Sequence, residues 1–237
     1  MTYLELVNNV LRRLRETEVT TVQSTAYSKL IGDIVNDAKR LVEDAWDWSM
    51  QRNSITTTLL PLNNISSGNY ISLVGSGESP KIESIIVGWE DPVFADVGGT
   101  GKAFLTYIDQ YTMEEKIRME QPLLGDPVPT GRPTYYSFYG IDSNRDSRIR
   151  IYPSPDQSYL LLTSFFRGQT DLSADGDVLI VPYMPVIHLA VALAARERGE
   201  TGGTSTQEYF QIANKYLSDA LAMDAGKHPE QTIFYTV

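Results

Sequence analysis

The stretch MPVIHLAVALAARERG, residues 184–199, decides the fold. Its middle is apolar on every side of a helix rather than along one stripe, which is typical of a helix that other elements surround. Pro185 suits the first turn of such a helix, and Gly199 suits its C-terminal end. Arg196 and Arg198 lie in the last turn, where they favour the helix dipole. The stretch therefore predicts a buried helix that needs neighbours on all sides.

Two amphipathic helices are expected earlier in the chain. A capping pair, Thr2 and Glu5, precedes apolar residues at helical spacing, namely Leu6, Val7, Val10, Leu11 and Leu14. A longer helix is expected from about Thr25 to Trp48. Its apolar residues recur in steps of four and three, and they are Tyr27, Ile31, Ile34, Ala38, Leu41, Ala45 and Trp48. Such stripes favour the faces of a helical bundle.

The middle of the chain has the pattern of short strands. Six segments combine β-branched or aromatic residues with flanking turn residues, namely SITTTLLPL, NYISLV, KIESIIVGW, TYYSFYG, RIRIYP and SYLLLTSFFRG. In RIRIYP, Ile149 and Ile151 alternate with arginines, which indicates a strand with one buried face. A short helix with a Thr112–Glu115 capping pair is expected among these strands.

A last helix is expected from about Ser205, capped with Glu208, to Met223. Helices at both ends and strands between them predict an α+β fold. We expect a four-helix bundle built from N- and C-terminal helical pairs, with an inserted, mainly antiparallel β region. The expected divisions are residues 1–50 and 181–226 for the bundle, 51–180 for the β-rich insertion, and 227–237 for a C-terminal arm.

The composition excludes several classes of protein. The formal net charge is −10 among 237 residues, so the chain lacks the basic footprint of a general duplex-DNA binder. It has no cysteine, which excludes disulfides, zinc-thiolate sites and cysteine nucleophiles. No apolar run reaches membrane-spanning length, and charges interrupt the N-terminal segment as they would not in a signal peptide. We expect synthesis in the cytoplasm and no membrane partner.

The catalytic motifs in the sequence are incomplete. VGGTGKAF, residues 97–104, resembles a phosphate-binding loop, but Ala103 stands where the magnesium-binding hydroxyl belongs and Asp96 where the first glycine belongs. A turn between strands is the better interpretation. His188 lies in an apolar helix and is expected to be a core or interface residue. We therefore expect no enzyme, no cofactor and no metal.

Two hypotheses about the function of acidic residues stay open. Asp142, Asn144 and Asp146 in the polar hairpin DSNRDSR could bind calcium, although the later glycine and closing glutamate of an EF-hand are missing. Pairs of carboxylates could also hydrolyse glycosides, as they could in any acidic chain. No pair stands out from the others.

Two segments are candidates for protein–protein contact. Tyr135, Tyr136, Phe138 and Tyr139 crowd one strand, either as a packed sheet with hydroxyls at its rim or as a contact surface, since tyrosine buries area at low entropic cost. The C-terminal PEQTIFYTV is extended and apolar. Docking would bury its large side chains, so we expect a docking arm that contains Pro229, Ile233, Phe234, Tyr235 and Val237.

The order of several motifs resembles that of the head-to-tail adaptor (connector, or neck) proteins of tailed bacteriophages. These motifs are TYxELVNxxLxRL, WDW, PxYYxFYG, RIRIYPxPD, FFR and DLSADGDVLIVP, the last followed by a helix that ends RERGE. They occupy residues 2–14, 46–48, 133–140, 148–156, 165–167 and 171–200. They are structural rather than catalytic motifs.

The resemblance implies a virion protein of the neck that forms a ring, usually of twelve copies, beneath the portal. A helical bundle would form the ring wall, the segment from Pro229 to Val237 would dock on the portal, and the β region, about residues 55–167, would face the next tail or nozzle protein. Double-stranded DNA would pass through the channel without specific binding, because an acidic wall repels phosphate.

Two other functions compete with this resemblance. A virion-associated hydrolase that uses two carboxylates would show turnover on peptidoglycan or glycan and lose it on single Asp or Glu substitutions. A tail-fibre or baseplate module would bind a tail component but not the portal.

Overall fold

The computed structural model describes residues 1–60, 70–77, 80–90, 100–121, 129–199 and 204–227. In these residues the fold is α+β, with five α-helices and two four-stranded sheets. Contacts divide the chain into two compact units. The helical unit contains Met1–Gln51 and Gly168–Val237, and the inserted unit contains Arg52–Arg167.

The elements are numbered in chain order. The helices are α1 (Tyr3–Arg13), α2 (Ala26–Asp44), α3 (Gln110–Glu120), α4 (Tyr183–Glu197) and α5 (Thr204–Ala225). The strands are β1 (Arg52–Leu59), β2 (Tyr70–Ser72), β3 (Lys81–Glu90), β4 (Thr100–Phe104), β5 (Thr106–Tyr107), β6 (Tyr135–Ile141), β7 (Ser147–Tyr152) and β8 (Tyr159–Phe166). One 3-10 turn, Ser49–Gln51, precedes β1.

Helix α4 is the buried helix that the sequence predicts. It contacts α1, α2 and α5, and the four helices share one hydrophobic core. Its buried residues lie on several sides of the helix and are Pro185, Val186, Ile187, Ala190, Val191, Ala192, Ala194 and Ala195. Five of these eight are alanine or proline, whose small side chains let neighbouring helices approach closely.

The starts of α1 and α2 follow their capping residues. The Thr2 hydroxyl accepts a hydrogen bond from the Glu5 amide, and the Glu5 carboxylate accepts one from the Thr2 amide, as the sequence predicts. Thr25 and Ser28 form the equivalent pair at the start of α2.

Two expectations about helix bounds are wrong. Helix α2 ends at Asp44 rather than Trp48, because the chain turns back and buries the Trp48 ring, whose indole N–H donates to the Val42 carbonyl at 2.7 Å. Helix α3 begins at Gln110, since Asp109 and not Thr112 is its N-cap and accepts from the Thr112 amide.

Close packing joins α1 to α2. A Cβ on Gly32 would lie 2.3 Å from the Tyr3 hydroxyl oxygen, so glycine at this position leaves the space that the tyrosine ring fills. Burial, followed by the charges of Asp33, Asp171 and Asp175, raises the pKa of Tyr3 to about 12. The hydroxyl is therefore neutral at physiological pH.

Polar groups of α2 hold the segment that returns to the helical unit at Gly168. The Asn36 side chain accepts from the Leu172 amide at 2.9 Å and donates to the Leu172 carbonyl at 3.0 Å. The buried Lys39 ammonium donates to the carbonyls of Gln169 at 2.5 Å and Thr170 at 3.2 Å. It also pairs with Glu43 at 3.4 Å.

A second polar cluster joins α5 to the 3-10 turn. The buried Asp224 carboxylate accepts hydrogen bonds from the Ser49 amide at 2.9 Å, the Ser49 hydroxyl at 2.6 Å and the Lys227 ammonium at 3.0 Å. Burial acts to raise the pKa of Asp224, but these hydrogen bonds outweigh it and hold the pKa below its usual value. We call Ser49, Asp224 and Lys227 the α5 clamp.

The inserted unit is two sheets around one core. The first sheet has the strand order β1-β8-β3-β4 and the second β2-β7-β6-β5, with every pair antiparallel except β5–β6. Apolar residues of both sheets meet in the shared core, and they include Leu59, Ile85, Val87, Leu161, Leu73, Ile149 and Ile151. Helix α3 packs through Met113 and Ile117 onto Tyr152.

We predict that Lys39→Ala lowers the free energy of unfolding of the helical unit by about 3–5 kcal/mol, because it leaves the buried Glu43 carboxylate without its cation. Urea unfolding followed by circular dichroism measures this loss. Lys29→Ala is the matched control, since Lys29 is exposed on the same helix. Equal losses for the two variants would contradict a structural role of the buried ammonium.

We predict that Asp224→Asn lowers the free energy of unfolding by about 1.5–3 kcal/mol at neutral pH, because the clamp loses its charge-assisted hydrogen bonds. The folded-state pKa of Asp224 lies below its unfolded value, so its stabilisation is present above the unfolded pKa and is lost as the pH falls through the folded pKa.

Thermal unfolding between neutral and acid pH tests this effect. The difference between wild type and Asp224→Asn should shrink as the pH falls. Asp219→Asn, an exposed position on α5, should be indistinguishable from wild type at every pH. A constant difference across the series would show that the charge of Asp224 contributes nothing.

Candidate interaction surfaces

The glycine-rich stretch that resembles a phosphate loop is a strand. Gly101 and Lys102 lie in β4, paired antiparallel with Trp89 and Gly88 of β3. Backbone amides in a sheet ladder are committed to the neighbouring strand, so they do not form a phosphate cradle. The expected turn is wrong for residues 100–102, because they pair with β3 as part of β4, whereas Asp96 lies outside the described residues.

The carboxylates of the acidic hairpin between β6 and β7 accept hydrogen bonds from backbone amides of the hairpin and of Gly77. Asp142 accepts from the amides of Asn144 at 2.8 Å and Asp146 at 3.0 Å, and Asp146 accepts from the Gly77 amide at 2.9 Å. The hydrogen bond from the Asp146 amide is the largest cause that holds the pKa of Asp142 below its usual value. These oxygens stabilise a turn in which Arg145 has a φ of 64°.

His188 is partly buried in α4, and its ring stacks on Tyr216 of α5 with 4.2 Å between ring centroids. Burial, followed by the charge of Arg13, lowers the pKa of His188, so the neutral ring is favoured. Within the described ranges, no group of three or more histidines or carboxylates could hold a metal ion. His188 is thus a packing residue at a helix–helix contact.

A shallow depression of about 330 Å³ lies along α3. Its lining residues all belong to that one helix, and they are Tyr111, Glu114, Glu115, Arg118 and Met119. A catalytic site usually draws its polar groups from several elements that converge on one point. This depression has no such convergence.

Strand β6 places its four aromatic residues on different surfaces. Tyr136 faces the shared core, and Tyr135 lies beside α3 with the Lys116 ammonium 5.1 Å from its ring centroid. Phe138 and Tyr139 are 39% and 36% exposed. The exposed rings available to a partner are therefore those of Phe138 and Tyr139, and their contact role stays a prediction.

Tyr139 belongs to a cationic aromatic cluster on the outer face of the second sheet. Its ring stacks on Tyr70 at 3.9 Å, and the guanidinium carbons of Arg148 and Arg150 lie 5.4 and 5.5 Å from the Tyr70 centroid. Burial, followed by the hydrogen bond with Tyr139, raises the pKa of Tyr70, so the Tyr70 hydroxyl is neutral at physiological pH. We call these four residues the tyrosine–arginine face.

The outer face of the first sheet carries an apolar row that the sequence reading missed. Thr56, Leu162, Ile86 and Phe104 are directly opposite one another across β1, β8, β3 and β4. Leu162 is 39% exposed and Phe104 is 70% exposed, and Leu160, on the same face, is 54% exposed. We call these five residues the leucine face.

The leucine face has a weak signal in the sequence. In SYLLLTSFF, Leu161 points into the core, so period-two alternation turns Leu160 and Leu162 outward. The alignment of Phe104 and Ile86 with them depends on the register between strands that are distant in sequence. That register cannot be read from any one segment.

The proposed arm residues Pro229, Ile233, Phe234, Tyr235 and Val237 lie outside the described residues, as does His228. The description of α5 and its turn ends at Lys227, which belongs to the α5 clamp. In the part of the chain that the structure describes, no helix is both long and apolar enough to span a membrane.

Comparison with protein families identifies a relationship over nearly the whole chain. No curated protein sequence matches the chain. The family model of the SU10 adaptor protein matches residues 1–232, which include both structural units and nearly the whole sequence. The match includes the helices at both ends and the inserted strands, in agreement with the resemblance of the sequence motifs. The chain therefore belongs to the SU10 adaptor protein family, a family of structural head-to-tail adaptor proteins of bacteriophages.

Proposed function

We propose that this protein forms an oligomeric ring in the virion neck, where it joins the portal to the tail and surrounds the channel for the genome. The family match over residues 1–232 is the observation that carries this proposal. In the proposed ring of twelve copies, the helices of the helical unit form a four-helix bundle in the wall. The inserted unit faces a downstream tail or nozzle protein.

The charge of the chain supports a channel through which DNA slides. Non-specific binding to duplex DNA is driven by several lysine or arginine contacts to phosphates. This chain has 30 acidic and 20 basic residues, and its helical unit accounts for most of the acidic excess. An acidic wall repels the phosphate backbone, so double-stranded DNA passes during genome ejection without specific binding.

The α5 clamp supports a docking role for the C-terminal segment. Asp224 and Lys227 fix the end of α5 to Ser49 directly before the residues of the proposed arm. A rigid root restricts where a following segment can reach, which lowers the entropic cost of docking. The apolar sequence from Pro229 to Val237 would bury Ile233, Phe234 and Tyr235 against the portal.

We predict that the full chain joins its cognate portal ring in near-equal copy number, and that a chain truncated after Lys227 does not. Mass measurement by light scattering, on the protein alone and mixed with the portal, tests both statements. Replacing Ile233, Phe234 and Tyr235 with serine in the full-length chain should also abolish binding, since it removes these large side chains and keeps the length of the arm.

The matched control replaces Glu230, Gln231 and Thr232 with serine and should bind as wild type does. Binding by the truncated chain would overturn the docking arm while leaving the adaptor role. Failure of the full chain to bind the portal would overturn the adaptor role in this virion. Turnover on glycans would then be the next property to measure.

A further inference from the structure

The leucine face is unusual for the outside of a two-sheet unit. Antiparallel sheets usually turn polar side chains to solvent on the face opposite the core. Here an aromatic and three aliphatic residues share one outer face, and the adjacent row, Thr58, Leu160, Gly88 and Lys102, has a single charge at its edge. Neither row contains a carboxylate, although the chain has 30.

The absence of carboxylates from these rows matters for contact between copies. Two copies with a net charge of −10 repel each other, and the repulsion is weakest where the touching surfaces carry no negative charge. A second copy can therefore approach the leucine face at low electrostatic cost. Its apolar side chains would be removed from water by that approach.

The size of the face excludes a stable free dimer through this contact alone. Four strands about 4.8 Å apart and about five residues of 3.4 Å each give a footprint of about 300 Å². A stable interface buries about 800 Å² on each partner. The leucine face is thus suited to an accessory contact between copies that a larger assembly already holds side by side.

The tyrosine–arginine face of another copy would bring aromatic rings and guanidinium groups to this surface. Among the described residues, neither Arg148 nor Arg150 makes a salt bridge, and the buried Arg148 Nε has no hydrogen-bond acceptor. An arginine already packs on an aromatic ring of the first sheet, where the Arg52 guanidinium lies 5.6 Å from the Phe166 centroid. Phe104 offers the same kind of ring to an arginine of another copy, and the Thr56 hydroxyl offers that arginine a hydrogen-bond acceptor.

We propose that the leucine face of one copy packs against the tyrosine–arginine face of the next copy. The two faces lie on opposite sides of the shared core, so the contact is head-to-tail. A head-to-tail contact repeats around a closed ring, whereas a contact of one face with itself ends at two copies. The inference rests on the proposed ring function and assigns the inserted unit a role in contacts between copies.

Disulfide trapping tests this contact, because the chain has no cysteine of its own. Leu162→Cys, isotopically labelled, is mixed with unlabelled Tyr139→Cys and oxidised mildly at high protein concentration. Trapping accumulates weak encounters, so it detects a contact too small to hold a free dimer. Phe104→Cys with Tyr139→Cys is a second pair, and circular dichroism confirms that each variant is folded.

We expect the disulfide between labelled Leu162→Cys and unlabelled Tyr139→Cys chains to form on the order of tenfold faster than the disulfide between labelled Leu162→Cys and unlabelled Met223→Cys chains, because a specific contact raises the local thiol concentration. Met223 is an exposed control position on α5. Arg148→Glu in the Tyr139→Cys chain should return the rate to that of the control. Mixed disulfides no faster than the control would overturn the inference. Predominant Leu162→Cys self-dimers would also overturn it, since the leucine face would then pair with itself.

The outcome is separable from that of the portal experiment. A chain that joins the portal but gives no specific mixed disulfide retains the proposed function and loses this contact. A chain that gives the disulfide but does not join the portal retains the contact and loses the proposed function.

Discussion

The burial of α4 is the constraint on which the rest of this structure depends. A helix apolar on several sides is unstable until other helices cover it, and this chain takes those helices from both of its ends. Helices α1 and α2 cover α4 from the N-terminal part and α5 from the C-terminal part. The chain therefore leaves the helical unit after Gln51, forms the inserted unit, and returns at Gly168 to complete the helical core.

The re-entry point explains why α2 carries buried polar residues on an otherwise apolar face. The chain returns at Gly168 in an irregular segment whose backbone groups have no helix or sheet to satisfy them. Asn36 and Lys39 supply those hydrogen bonds from within the core. Replacing them with leucine would improve the amphipathic pattern and leave the returning backbone unsatisfied, so the polar residues are a requirement of the insertion.

The sequence predicted what depends on local patterns. The buried helix, the capping of α1 and the strands around Ile149 follow from periodicity and cap residues, and the family follows from the order of structural motifs. The end of α2 was missed, because the tertiary burial of Trp48 overrides helix propensity. The alignment of Leu162 with Phe104 was missed for a related reason, since pairing between distant strands has no local signal.

The insertion also has a consequence for the order of folding. The N-terminal helices α1 and α2 leave the ribosome well before α4, with all of Arg52–Arg167 between them. Until α4 is made, the side of α2 that packs against it has no permanent cover. A folded inserted unit shortens the effective loop that must close, which lowers the entropic cost of bringing α4 to α2. A compact insertion between α2 and α4 thus favours closure of the helical core.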